Sequence, residues 1–198
     1  MKKILKRFNL KEEYIKSLNY IKDIKNFIFI IILIFFLFVF IGYFIPAPEY
    51  LENEILRFIQ ELLERTKGMS CIQLIRFIFF NNLISSFLGV ILGFFLGIFP
   101  LISGIFNGYI LGFVSSLTVQ SEGVSILYRL LPHGIFELPA IFISLAMGLK
   151  LGTFIFRKNR KTPLKEYFLN SLRTFILIVI PLLIIAAIIE GSLIFLYK

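Results

Sequence analysis

The chain has 198 residues, 58% of them hydrophobic and 25 of them phenylalanine, with a mean hydropathy of +0.90. A water-soluble domain of this size cannot bury that much apolar surface, so the composition predicts an all-α integral membrane protein with lipid as its solvent. The net charge of +9 does not describe a nucleic-acid reader, whose basic residues occupy a soluble face; here they flank apolar runs and read as membrane topology.

Residues 1–26 are a basic segment expected on the cytoplasmic side, with Lys2, Lys3, Lys6, Arg7, Lys11, Lys16, Lys22 and Lys25. The first apolar run, Phe27 to Ile45, ends in IPAPEY with no small-x-small cleavage pattern, so it is expected to be a retained span. From there to residue 198 the sequence reads as one polytopic domain without internal repeats or low-complexity linkers.

The segment 46–78 is expected outside. Its first part places Leu51, Ile55, Phe58, Ile59 and Leu62 at helical spacing beside Glu49, Glu52, Glu54, Glu61 and Glu64. That pattern predicts an amphipathic helix on the outer surface, packed on the bundle or the headgroups, or serving as a lid or docking site. The single cysteine, Cys71, excludes an intramolecular disulfide and a CxxC-type site.

Four more runs are long enough to cross about 30 Å of hydrocarbon: Phe79 to Phe99, Leu101 to Val119, Ile135 to Phe156 and Thr174 to Leu196. The short break around Pro100 predicts an antiparallel hairpin between the second and third. Arg157, Lys158, Arg160, Lys161 and Lys165 lie between the fourth and fifth. Basic residues are retained in the cytoplasm, so the expected topology is N-terminus inside and C-terminus outside. Lys150, near the inner end of the fourth span, is expected to snorkel and needs no functional role.

Small residues recur at every fourth position: Ser85, Gly89, Gly93 and Gly97 in the second span, and Gly104, Gly108, Gly112 and Ser116 in the third. The fourth continues the device with Ala140, Ser144, Gly148 and Gly152. Such stripes let backbones approach closely where no hydrophobic effect drives helices together. They predict a tight inner bundle of these three spans, the second facing the third, or an oligomer contact. The first span, apolar all round with only Gly42 as a break, is expected to be peripheral. Tyr43, Tyr128 and Tyr197 outside, and Tyr20 and Tyr167 inside, are the expected interfacial anchors.

The polar residues most costly to hold in hydrocarbon are Asn81, Asn82, Asn107, His133, Glu137 and Glu190. The expected topology puts all of these but Asn107 near the outer leaflet, Glu190 about 9 Å below the interface. His133 and Glu137, four residues apart, share a helix face, and Glu137 continues into the fourth small-residue stripe. Pro139 and Pro181, inside the fourth and fifth spans, are expected to kink them and free carbonyls near Ile135 and Leu177.

Four readings of this polar layer compete: interhelical hydrogen-bond glue, a proton- or ion-coupled transport site, a metal site of His133, Glu137 and Glu190, and an intramembrane hydrolase. The metal reading lacks a second histidine or a cysteine, and the hydrolase reading lacks HExxH, GxSxG or paired aspartates. No enzyme activity, cofactor or metal is therefore expected.

NN at 81–82, NG at 107–108 followed by Gly112, LLPHGIFELPAIFISLAMGLKLG from Leu130 to Gly152, and AAIIEG from Ala186 to Gly191 together resemble the stage II sporulation protein M family, the PHGxxELPA segment most specifically. The resemblance implies a multi-pass inner or plasma membrane protein. Its sporulation members act with partners in a peptidoglycan-degrading complex, the hydrolysis residing in those partners. The expectation that follows is a non-enzymatic scaffold or complex subunit, with lipid, protein partners or further copies of itself around it. A small transporter or channel component using Glu137 and Glu190 is the alternative.

Overall fold

The computed structural model describes residues 9–123, 131–156 and 164–196, and among them there are helices and no strand. Among the described residues five helices are long and apolar enough to cross a membrane: Lys25–Phe44, Cys71–Phe94, Ile98–Ser121, Gly134–Gly152 and Leu164–Leu196.

α1 (Leu10–Asp23) falls within what the sequence showed only as a basic segment. Asn9 caps it, accepting from the Lys11 N–H at 3.1 Å, and Glu12 and Glu13 open its first turn where the helix dipole favours anions. Ser17, Tyr20 and Ile24 are buried, a stripe at i, i+3 and i+7 set among lysines, and it docks on a later helix, α7 (Leu164–Thr174).

α2 (Lys25–Phe44) is the first span, followed by α3 (Glu49–Thr66) at the far end of the bundle from α1. α4 (Cys71–Ile91) starts well before the expected Phe79. Ser70 and Gln73 form a reciprocal capping box there, so residues 71–78, read from sequence as part of the external segment, are the first turns of α4 and of the candidate span.

The chain reverses at residues 95–97, where Leu96 and Gly97 both have positive φ (57° and 71°), rather than at Pro100. Pro100 is the third residue of α5 (Ile98–Glu122), a position whose N–H has no intrahelical partner to lose. α6 (Leu131–Gly152) keeps Pro139 within it. α7 continues through a π-helical stretch, Phe175–Val179, into α8 (Ile180–Leu196), making one 33-residue span. Pro181 is thus the second residue of α8. The Ile180 N–H reaches back to the Phe175 carbonyl, so the wider π turn carries the helix past the missing proline donor.

α6 is the centre of the bundle, every residue from Phe142 to Gly152 being buried. α4 and α8 pack on it and on each other. The small-residue stripes pair differently from the sequence expectation. A side chain at Gly93 would strike the Gly148 backbone, one at Gly148 the Gly89 backbone, and one at Gly152 the backbones of Gly93 and Gly97. The second span therefore faces the fourth, in parallel. Ser144, on the same stripe, is fully buried, its hydroxyl donating to the Ala140 carbonyl at 2.8 Å.

The third span faces the first. A side chain at Gly108 would strike the Phe35 carbonyl and one at Gly112 that of Val39, while Gly42 sits against the Tyr109 carbonyl. A glycine groove gains dispersion contacts from whatever ridge fills it, and the Phe35–Val39 ridge of α2 fills that of α5. Gly104 has only the tip of Leu145, at 3.9 Å, near the place of a Cβ. α2 still leaves Phe29, Leu33, Phe36 and Phe40 exposed on its other faces.

Candidate functional site

The mutual packing of α4, α6 and α8 brings Asn82, Glu137 and Glu190 together. Gly191 sets the depth of Glu190, because a Cβ there would lie 2.9 Å from the Ile75 nitrogen of α4. Ala186 and Ala187, one turn earlier, are fully buried. On α6, Ala140 is fully buried while Pro139 is exposed, so the turn that carries Glu137 meets the bundle along its small-residue side.

The Asn82 side chain is within hydrogen-bonding reach of the Glu137 carboxyl, and Glu190 lies close enough to Glu137 for their charges to interact. Among the described residues, the buried Glu190 Oε2 has no hydrogen-bond partner, and neither has Ser86 Oγ, one turn along α4 from Asn82. Buried polar atoms are seldom left so. A carboxyl pair with a spare acceptor can take up a proton, a cation or a donor from another chain.

The other polar residues singled out from sequence are placed apart from this trio. Asn81 is exposed beside Phe77, Phe80 and Ile84 on the outer side of α4. Asn107 is exposed on α5, where its amide donates to the Ser103 carbonyl at 2.8 Å and to the Ser103 hydroxyl at 3.2 Å. His133 is the third residue of α6, but its side chain lies outside the described residues. Among those described, no three His, Cys, Asp or Glu side chains gather as a metal site would require.

A second polar layer, which the sequence reading missed, lies at the opposite end. Lys150 is buried rather than snorkelling into water. Its Nζ donates to the Asp23 carbonyl at 3.4 Å and sits 5.2 to 6.0 Å from the ring centres of Tyr167, Phe27 and Tyr20. The Tyr20 hydroxyl lies 2.9 Å from Ser171 Oγ, and burial pushes the phenol up to about 12. Arg173 and Lys16 both pair with Glu13. The hydrogen bond from Lys16, with Arg173 adding to it, holds that carboxyl below the usual range. The legible signal was the stripe of Ser17, Tyr20 and Ile24 in the basic segment.

Helices that bury small-residue seams, expose apolar flanks and gather carboxyls between three spans define a polytopic membrane protein. Within that class, residues 31–193 match the family described as Stage II sporulation protein M, and the chain belongs to that family. No curated protein and no solved structure matches it.

Proposed function

We propose that the chain is a non-enzymatic subunit of a membrane complex, and that α3 is the surface it offers to a partner. The observation that carries this reading is the state of α3. Of its apolar residues only Ile55 is buried, and the helix makes sparse contact with the rest of the bundle. Tyr50, Phe58 and Leu63 are exposed beside five glutamates and two arginines. An acid-rich amphipathic helix in a chain of net charge +9 suits a basic protein surface better than anionic headgroups. Family membership supports the same reading, since the resemblance implies that members act through partners.

The localisation proposed with it is the cell membrane, with the N-terminus cytoplasmic and α3 and the C-terminus outside. In a Cys71→Ser background, an impermeant thiol reagent added to intact cells should label a cysteine at Gly123 and not one at Asn159. The complex itself is tested by purification from native membranes in mild detergent. Wild type should bring down a stoichiometric partner that Phe58→Glu with Leu63→Glu loses while the bundle stays folded. A chain that runs alone in both forms would sink the proposal.

The unpartnered Glu190 oxygen favours a second reading, in which the Glu137–Glu190 pair couples the movement of a proton or cation. Glu137→Gln and Glu190→Gln should then abolish flux in proteoliposomes, and unchanged flux rejects it.

A further inference from the structure

A cavity of about 520 Å³ opens at the end of the bundle that carries α1 and α7, away from both the carboxyl pair and α3. Its floor is Leu151, buried near the end of α6, and its walls are Ile91, Phe94 and Phe95 from the α4–α5 reversal and Phe168 from α7. The three phenylalanines are exposed, so the cavity opens at the perimeter of the bundle, where lipid is the surrounding medium. Lys165 lines it as well and is also exposed. Among the described residues it makes no ion pair.

We propose that this cavity is a lipid site that takes an acyl chain of one anionic phospholipid, with the Lys165 ammonium on the headgroup phosphate. The volume lies within the range of about 300 to 1,000 Å³ common for small-ligand sites. The walls offer a hydrocarbon chain dispersion contacts and no competing polar group. A lysine at the rim of an apolar slot suits one end of an amphiphile, as a point charge that pairs with phosphate. A protein segment would meet this single charge with no matching requirement, whereas a phospholipid brings the chain and the charge together.

The chain contains no tryptophan, so Phe168→Trp places one fluorophore in the cavity wall. This variant is to be reconstituted in phosphatidylcholine vesicles with increasing amounts of brominated phosphatidylglycerol or brominated phosphatidylcholine. Half-maximal quenching should come at about fivefold less brominated phosphatidylglycerol. Adding Lys165→Glu should erase that preference, and Lys165→Arg should keep it. A Phe29→Trp control on the exposed face of α2 should quench equally with both lipids. Should Phe168→Trp fold poorly, Phe95→Trp reports from the opposite wall. Equal quenching by both lipids in the cavity, or a preference that survives Lys165→Glu, overturns the proposal. So does weak quenching by both, which means that protein fills the cavity.

Discussion

The two polar layers of this bundle differ in how their charged groups are matched. At the α1–α7 end, every charged group and phenol of the layer is matched, Tyr20 with Ser171, Glu13 with Arg173 and Lys16, Lys150 with the Asp23 carbonyl and three aromatic rings, and only the Thr174 hydroxyl is buried without a partner among the described residues. At the other end, Glu137 has Asn82, while Glu190 Oε2 and Ser86 Oγ are buried without a partner among the described residues. Matched networks hold helices in one arrangement, whereas a buried polar atom without a partner costs stability that a bound proton, ion or donor would return. The difference teaches where to look for structure and where to look for activity.

The largest expected effect breaks the seam that both ends share. Gly148→Leu would drive a side chain into the Gly89 backbone and Pro100, costing about 3 kcal/mol or more. Thermal unfolding in mild detergent should show it, together with loss of a monodisperse species.

Next in size is the contrast itself. Tyr20→Phe strands the buried Ser171 hydroxyl and should cost about 1–3 kcal/mol, whereas Glu190→Gln removes no hydrogen bond from Oε2 and should change stability by less than about 1 kcal/mol. Chemical unfolding of the two variants side by side measures both. The reverse order would show that the comparison has the ends the wrong way round.

A smaller effect is read from alkaline pH. The folded phenol of Tyr20 lies near 12 against an ordinary 10.0, so its contribution is complete below pH 10 and is lost as pH rises towards 12. Wild type should lose stability across that window and Tyr20→Phe should lose less.

The smallest effect lies at acid pH. Glu13 titrates below its ordinary 4.5, so its contribution is present above that value and is lost as pH falls through the lowered one. A half-buried pair still open to solvent contributes little, and Glu13→Gln should flatten only the acid limb of the stability profile.

Much of the fold was legible because apolar runs of span length announce themselves without partners. The boundaries were less so. Ser70 and Gln73 form a capping box around the start of α4 at Cys71, and that local signal starts the helix within the segment 46–78 read as external, ahead of the apolar run from Phe79. The carboxyls and Asn82 could be nominated from burial cost, but Asn81 and Asn107 carry the same chemistry and lie outside the trio. One residue of helical rotation separates Asn81 from Asn82, and only packing decides which of the two faces protein.

By itself the sequence determined that this is a helical membrane protein with five candidate spans, and it carried the motifs of its family, because hydrophobicity and short motifs are properties of the chain alone. The tertiary structure decided which glycine stripe meets which neighbour, which asparagine joins the carboxyls, and that Lys150 is enclosed by α1 and α7 rather than reaching water. Those are choices among surfaces that look alike one helix at a time, and they are made only when all the surfaces compete for the same contacts.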